Sequence, residues 1–590
     1  MTYDALNRIT NVDYIGASSE NVTVAYDTCT IGRVCLVNDI SGTQNYTYNS
    51  KGRLATKNYN NGTFSKTVAY SYNSYGQLSN ITYPSGKMVN YSYVNDKISA
   101  VSYSDGITTT NIATGVTYES FNPQLSSYTW GNSATYNQAF TADGVISSIT
   151  AANAYPVNKT YGYDSRFNIT GITETGTPAR SSTATYDSMS RINNYSYGTG
   201  NSNDYTYNTS EDRTSQKLNA GTATTYNYGS TSHKLTSLSG ASTDTMTYDL
   251  NGSILTASGK IYTYNAANRM ATSNDGSLTT SYLINFMGQR TQKSNTSSTT
   301  WFIYDENDNV IAEYDAVGNL KDEYVYMDNR PVALLRASNL YYIYSDHLNT
   351  PRAITDTANT LQWTWENKEA FGNNLPTEVV SGFNFNFRLP GQYFDSETNL
   401  NYNIHRDYNP VWGRYMSSDP LGLAAGINTY GYVSGNSLGN SDRLGLLPVE
   451  HYLDLWISSS PNWQIAFNLA KIKKMTPLFI DQGNACGPID QEDADNRTAA
   501  EHYIYARGMM TEKKLVTYFY KGLGIYFNEG YQMLKLPASS LMKASKPSLN
   551  QLYWENSGWW DHWGYNPVYK APPFSTNPST YQKLATDKLP

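Results

Sequence analysis

The sequence predicts a mainly β fold, and two observations carry that prediction. Of the 590 residues, 54 are Tyr and 42 are Gly, and Val, Thr and Ser are also frequent. This composition favours strands and turns over helices. A pattern of aromatic residue, any residue, Tyr, then Asp or Asn recurs through residues 1–330, usually followed by a turn and Arg-Leu or Arg-Ile. We therefore expect many short antiparallel strands.

Each repeat predicts two short strands joined by a tight turn. Strand side chains alternate, so both rings of Tyr-x-Tyr lie on one face, and Asp or Asn with Gly supplies the turn. A hairpin cannot bury its apolar face alone, which predicts that the repeats stack side by side into a long sheet. The alternative is that exposed Tyr rings stack on glycans. The clearest repeats begin at Met1, Tyr46, Tyr70, Ala184, Met246 and Tyr262.

Charge and cysteine content exclude several classes of protein. The formal net charge of -7 gives no indication of a surface that binds nucleic acid. The sequence contains no run of about 18 apolar residues, so no membrane-spanning helix is predicted. Cys29 and Cys35 either pair across a local turn or remain free thiols, and Cys486 stays unpaired. The N-terminus carries no conventional signal peptide and begins inside a repeat. We expect export by another route, or a truncated copy of a longer protein.

The repeated Tyr-Asp-x-x-x-Arg pattern resembles the YD repeat of Rhs (rearrangement hotspot) proteins, of insecticidal toxin-complex C subunits and of teneurins. The resemblance covers roughly residues 1–446. It implies that residues 1–330 form a spiralling antiparallel β shell, a hollow cocoon. Some repeats depart from the pattern, since Asn208 follows Tyr207 where Asp is usual.

Residues 331–446 are similar to the Rhs-repeat-associated core, which closes the shell as a plug in that family. Asp346 to Arg352 read DHLNTPR, similar to the family's DHLGTPR, with Asn349 in place of Gly. Asn tolerates a positive φ, so this is a mild change. We expect His347 to be packed and hydrogen-bonded rather than catalytic. The block RLPGQYFDSETNLNYNIHRDYNPVWGRYMSSDPLGL that follows carries the most specific resemblance.

The resemblance implies an intramolecular aspartic self-protease with Asp407 and Asp419 as the catalytic pair and Arg406 beside them. Hydrolysis by two carboxylates needs one ionised and one protonated, and like charges at short distance enforce that difference. A guanidinium can hold the ionised member. The residues alone instead favour simple turns at Asp419-Pro-x-Gly and Asp442-x-x-Gly445, each capped by its Asp.

The same resemblance places the cleavage between Leu446 and Leu447, after a motif that contains Asp442 and Gly445. Asp442 belongs to this cleavage-site motif and is not expected to be a third catalyst. Arg443 stands where the family has Pro, a change that bears on the conformation presented for cleavage.

Residues 447–590 predict a small, mostly helical (α+β) domain, which by analogy with Rhs proteins is a variable toxin of unrecognised family. Two site hypotheses stand beside a purely structural interpretation of the same residues. One is an acid–base centre, and the other is membrane insertion by the apolar, Gly-interrupted segment 513–536. No metal-binding spacing is present, and we expect no metal or cofactor. The acid–base candidates are Arg497, Glu501, His502, Asp561 and His562.

The function that the Rhs resemblance implies is encapsulation and delivery of a C-terminal toxin, with cleavage after Leu446. The expected partners are a cognate immunity protein and a secretion apparatus or carrier, with glycans as a further candidate. The expected location is secreted or at the cell surface. The alternatives are a structural or adhesive surface protein that binds glycans without cleavage, and a truncated orphan Rhs cassette.

Overall fold

Antiparallel strands make up almost all of the regular structure in this computed structural model. It describes residues 1–119, 124–152, 158–175, 180–446 and 449–450. Within these ranges there is no α-helix, and the mainly β prediction is confirmed. Of the helical domain predicted for 447–590, only Val449–Glu450 are described, and its five acid–base candidates and the segment 513–536 lie outside the described residues. The described part of the chain also contains three short 3-10 helices, at Ser18–Glu20, Gly422–Ala425 and Val433–Gly435.

The first sheet contains 23 strands, and each pairs antiparallel with the next one along the chain. Consecutive hairpins therefore lie side by side in one sheet, as the repeats predict. Its strands are β1 (Thr2–Tyr3), β2 (Ile9–Val12), β3 (Val22–Tyr26), β4 (Val34–Asp39), β5 (Gly42–Tyr48), β6 (Leu54–Asn60), β7 (Ser65–Tyr72), β8 (Leu78–Thr82), β9 (Met88–Val94), β10 (Lys97–Ser104), β11 (Thr109–Tyr118), β12 (Leu125–Trp130), β13 (Thr135–Phe140), β14 (Ile146–Ala152), β15 (Asn158–Tyr163), β16 (Ile169–Thr175), β17 (Arg180–Tyr186), β18 (Ile192–Tyr197), β19 (Asn201–Tyr207), β20 (Arg213–Leu218), β21 (Ala223–Tyr228), β22 (Leu235–Gly240) and β23 (Asp244–Thr245).

A second sheet of 14 strands continues the same antiparallel order. Its strands are β24 (Thr247–Tyr248), β25 (Ile254–Ala257), β26 (Lys260–Tyr264), β27 (Met270–Asn274), β28 (Thr279–Ile284), β29 (Arg290–Ser294), β30 (Thr299–Tyr304), β31 (Val310–Tyr314), β32 (Leu320–Met327), β33 (Arg330–Arg336), β34 (Asn339–Ser345), β35 (Pro351–Asp356), β36 (Leu361–Thr364) and β37 (Thr377–Glu378). Two small sheets follow: β38 (Tyr393–Asp395), β39 (Leu400–Asn403), β40 (Arg406–Asn409) and β41 (Arg414–Tyr415), then β42 (Asn440–Ser441) with β43 (Val449–Glu450).

The turn of each repeat is closed by its Asp or Asn side chain. Asp187 accepts hydrogen bonds from the backbone N–H groups two and four residues later, at 2.9 and 3.0 Å, and binds the Nε of Arg191 at 2.6 Å. Asn208 accepts from the same two positions, both at 2.9 Å. Since the amide oxygen replaces the carboxylate oxygen in this turn, the repeat that lacks Asp still keeps its shape.

The second Tyr of a repeat binds the preceding repeat. Its hydroxyl donates to a carbonyl at the start of the earlier return strand, as from Tyr186 to Ile169 at 2.7 Å and from Tyr248 to Leu235 at 2.9 Å. The repeat Arg lies over the second Tyr of the next repeat, as Arg191 does over Tyr207 at 4.7 Å from the ring centroid, a cation–π contact. These contacts explain the recurrent Tyr as sheet packing, and glycan binding stays a prediction.

Asp187→Ala is expected to lower the free energy of unfolding by about 1–2 kcal/mol, because two backbone N–H groups and Arg191 lose their acceptor. Asp187→Asn keeps the two turn hydrogen bonds and should cost less than about 1 kcal/mol, chiefly from the partly exposed ion pair. Urea titration of both variants measures the difference. Equal losses would mean that the turn hydrogen bonds contribute nothing.

The third sheet, β38–β41, packs against both large sheets. Its Asp395 forms a buried ion pair with Arg290 of the second sheet at 2.5 Å. Arg414 donates to the carbonyl of His233, in the loop between β21 and β22 of the first sheet. The two large sheets also meet directly, since Tyr83 donates to the carbonyl of Tyr324 at 2.7 Å. Residues 388–446 are therefore held by both large sheets and are called the plug below, whereas β33–β37 of the predicted core block continue the second large sheet.

Three sequence expectations on single residues are now decided. Cys29 and Cys35 form a disulfide, so the free-thiol alternative is wrong; the hairpin of β3 and β4 brings the two residues together. His347 is buried and its Nε2 lies 2.7 Å from the carbonyl of Leu438, which confirms a packed histidine. Asn349 has a φ of +69°, as a residue replacing Gly should. The described residues contain no helix that is long and apolar enough to cross a membrane.

Candidate active site

Arg406 is the centre of the candidate site. Its Nη2 lies 2.8 Å from the carboxylate of Asp419 and 3.3 Å from that of Asp442. Its Nε donates to the carbonyl of Gly445 at 2.6 Å, and its Nη1 to that of Thr429 at 3.0 Å. All three charged side chains are only 2% exposed. One buried guanidinium therefore joins a predicted catalytic residue to the predicted cleavage segment.

The residues before the predicted scissile bond form one held turn. Asp442 accepts the N–H of Leu446 at 3.0 Å and the hydroxyl of Tyr415 at 2.7 Å. Leu444 accepts the N–H of His405 at 3.1 Å. Gly445 has a φ of +68° and lies against the backbone of β39, where a Cβ would not fit. Residues 442–446 are thus fixed at their backbone, while Leu447 lies outside the described residues.

Asp419 combines a turn role with an ion pair. Its Oδ1 accepts the N–H of Leu421 at 2.8 Å, and its Oδ2 binds Arg406. Burial raises the pKa of Asp419 to about 6, and the negative charge of Asp442 also raises it, while Arg406 opposes both. The turn predicted for this residue is therefore present together with the predicted guanidinium partner.

Asp407 follows Arg406 in β40, and because strand side chains alternate, the two project to opposite faces. Burial, together with the negative charge of Asp395, raises the pKa of Asp407 to about 7 against the opposing charges of Arg290 and Arg269. Among the described residues no hydrogen bond joins Asp407 to Asp419. The sequence predicts that the charges of Asp407 and Asp419 act on each other. Instead, the negative charge of Asp395 raises the pKa of Asp407, and that of Asp442 raises the pKa of Asp419.

Arg443, where the resemblance expects Pro, binds the second sheet. Its Nη1 donates to the carbonyl of Asn307, and its own carbonyl lies where a Cβ on Gly391 would collide. The turn 442–446 therefore gains a side-chain contact that Pro could not make.

Several residues of the site were not singled out from the sequence. Two of them lie in the repeats of the second sheet and four lie within residues 395–429, and each acts through an amide, a carbonyl, a ring or a charge whose partner is known only from the fold. The signal that could have flagged one of them, Arg269, is the Asn at the turn position four residues before it, which leaves that Arg without its usual carboxylate. These residues are Asn403, Tyr415, Thr429, Asp395, Arg269 and Arg290.

Comparison with known families agrees with this architecture. The family model of the teneurin YD shell matches residues 135–429, half of the chain. YlbH of Escherichia coli (strain K12) is 39% identical over 202 residues, which are 33% of this chain and 82% of YlbH. This chain belongs to the YD-shell (Rhs) family. Its YD-shell relatives include the double-stranded DNA deaminase toxin A of Burkholderia cenocepacia (strain H111), 33% identical over 116 residues, 19% of this chain and 8% of the toxin.

A solved YD shell has the same fold. The structure of the Photorhabdus luminescens Tc holotoxin pore, which contains TccC3, matches 73% of this chain and 25% of its own chain, with a TM-score of 0.62 and 16% identity. That similarity concerns the fold alone. The present YD-shell chain spans a quarter of that protein, less than a tenth of the deaminase toxin, and about half of another E. coli relative.

Asp407→Asn is expected to flatten the pH dependence of stability. The pKa of Asp407 is about 7 when folded against an ordinary 3.8. Its stabilising contribution is therefore complete below about pH 4 and is lost as the pH rises through 7. Between pH 5 and 8 the loss amounts to about 2–3 kcal/mol. Both proteins are compared in an Asp419→Asn background by thermal unfolding. The stability of Asp407→Asn relative to its parent should be greater at pH 8 than at pH 5. An equal difference at both pH values would contradict the buried, raised pKa.

Proposed function

We propose that this chain is the shell of an Rhs-type toxin that encloses residues 447–590 as its toxic cargo and cuts itself after Leu446. The observation that carries the proposal is the Arg406 side chain, which binds Asp419 and the carbonyl of Gly445 together. Hydrogen bonds from Arg406, Tyr415 and His405 hold the segment 442–446. Such a fixed segment would present the bond that follows it to a carboxylate.

The roles follow from the two environments. Asp419, paired with Arg406, supplies the ionised carboxylate that activates water. Asp407, with a pKa of about 7, supplies the protonated one that polarises the carbonyl and protonates the leaving nitrogen. This role requires the Leu446 carbonyl to come within reach of the face of β40 opposite Arg406. The water adds to the Leu446 carbonyl carbon and the bond to Leu447 breaks, giving a carboxylate and an amine. Because the substrate is tethered, no binding step is needed.

The test is the intact mass of the purified chain beside single Asp407→Asn and Asp419→Asn variants. We expect the parent to give a fragment that begins at Leu447, and both variants to remain whole. Asp187→Asn serves as the matched control, since it makes the same substitution in a repeat turn and should be cut like the parent. An uncut parent would refute the self-protease.

Asp442 is a second candidate for the partner of Asp419, because both carboxylates share Arg406. The same measurement on Asp442→Asn separates the two assignments. If Asp407→Asn is cut and Asp442→Asn is not, the catalytic pair is Asp419 with Asp442.

Delivery requires partners that the fold does not contain. We propose export to the cell surface or beyond through a secretion apparatus or carrier, and a cognate immunity protein that protects the producer. Expression of residues 447–590 should inhibit growth of the host cell, and co-expression of the neighbouring gene product should restore growth. Growth unaffected by 447–590 would argue against a toxic cargo.

A further inference from the structure

Arg269 closes a turn of the second sheet but departs from the pattern of its repeat. Where Asp holds the turn, its carboxylate binds the Arg four residues later, as Asp4 binds Arg8 at 2.7 Å. In this repeat the turn residue is Asn265, which accepts only the Arg269 backbone N–H, at 2.8 Å. Within the part of the chain that the structure describes, no carboxylate forms an ion pair with the Arg269 guanidinium.

The guanidinium binds the ring of His405 instead. Its Nη2 lies 2.9 Å from Nδ1 of His405, and because a guanidinium only donates, this nitrogen accepts and the ring is neutral. Burial, with the charges of Arg269 and Arg406, lowers the pKa of His405 to about 3. The ring also packs on the backbone at Gly288, where a Cβ would lie 2.6 Å from it. His405 is therefore a fixed, non-titrating acceptor at neutral pH.

His405 lies in the short link between β39 and β40. Its backbone N–H donates to the carbonyls of Asn403 at 2.7 Å and Leu444 at 3.1 Å, and Ile404 before it has a φ of +55°. The next residue is Arg406. The His405 ring, held by Arg269, therefore fixes the link between β39 and β40, and this link contacts the cleavage segment at Leu444.

We infer that Arg269 is a positioning residue for the proposed self-cleavage, which holds the His405 ring and thereby fixes the link that binds Leu444 and carries Arg406 and Asp407. The inference rests on the proposed function. Arg269 acts on the two proposed catalytic carboxylates without touching either.

The Arg269 charge gives this role a signature that packing alone would not have. It lowers the pKa of both Asp407 and Asp419, so its removal should move the pH profile of cleavage to higher pH. The other charged or titratable groups that act on these carboxylates or on Arg269 remain in place in such a variant. They are Asp395, Arg290, Tyr262 and Tyr264 around Asp407, Arg406 and Asp442 around Asp419, and Tyr14 and Tyr402 near Arg269.

The first test measures cleavage of the full chain. The chain is labelled briefly in cell-free translation, synthesis is stopped, and the mixture is shifted to buffers between pH 5 and 8.5. Arg269→Gln should cut about 10–100-fold more slowly, the scale of a misplaced catalytic group, with its optimum at higher pH. Arg269→Lys keeps the charge and should restore the parental pH profile with a smaller loss of rate.

Arg53→Gln is the matched control. Arg53 follows Asn49 by four residues in the same turn, with its N–H bound at 3.0 Å, but its guanidinium lies over Tyr72, away from the plug. It should be cut at the parental rate. If Arg269→Gln is cut at the parental rate with an unmoved pH profile, the inference is overturned.

A second measurement keeps the two proposals distinguishable. In an Asp419→Asn background, Arg269→Gln should speed hydrogen exchange in peptides covering 403–407 and 442–446, and Arg53→Gln should not. If the parent chain is never cut, the proposed function fails, and the cleavage role of Arg269 fails with it. Unchanged exchange overturns the anchoring step even if the parent is cut.

Discussion

Arg406→Lys is expected to slow cleavage after Leu446 by about 10²–10³-fold, the scale seen when an electrostatic contact at a reacting group is lost. The ammonium of Lys is a point charge on a flexible stem, whereas the Arg fork donates to Asp419, Asp442, Gly445 and Thr429 at once. Lys can satisfy Asp419 or the Gly445 carbonyl, but not both. The time course of fragment formation by intact mass measures the effect.

Arg414→Lys is the control for simple loss of a buried guanidinium. Arg414 is as buried as Arg406 and lies 4.9 Å from the ring centroid of Tyr430, yet it binds the first sheet and not the cleavage segment. We expect a comparable loss of stability and nearly parental cleavage. Equal slowing of both variants would show that cleavage only reports the integrity of the plug.

The shell was predictable because its determinants are local. Tyr-x-Tyr alternation, the Asp or Asn turn and the following Arg all act within a repeat or between neighbours, and neighbouring repeats pair in chain order. Degenerate repeats did not mislead, since Asn208 makes the turn that Asp187 makes. The state of Cys29 and Cys35 was left open because a separation of six residues allows either state until the hairpin register is known.

The candidate site was only partly predictable, because its energetics come from residues remote in sequence. The resemblance identified Arg406, Asp419 and the 442–446 motif, which the fold does bring together. It did not foresee that Asp407 faces Asp395, Arg290 and Arg269. The repeat at Asn265 sends its Arg269 to His405 of the plug, where the turn Asp of other repeats would have retained it.

Arg290→Met is expected to destabilise the plug by about 3–5 kcal/mol, because it leaves the carboxylate of Asp395 buried without its main partner. Asp395 is held at 2.5 Å by Arg290 and at 2.9 Å by Lys293. Their charges outweigh the burial, which acts in the opposite direction, so the pKa of Asp395 lies below its usual range. Arg290 also lies 4.3 Å from the ring centroid of Tyr402. Thermal and urea unfolding in the Asp419→Asn background measures the loss.

A double variant, Arg290→Met with Asp395→Leu, separates two free energies. One is the cost of leaving Asp395 buried without a partner, and the other is the net contribution of the ion pair to stability. Buried pairs replaced by apolar residues are often neutral in stability, and Lys293 keeps Glu397 as a partner at 3.3 Å. The double variant should therefore recover more than half of the loss caused by Arg290→Met. No recovery would mean that the guanidinium stabilises the plug mainly through its contacts with the surrounding rings, and the two large sheets would then be joined to the plug by packing more than by charge.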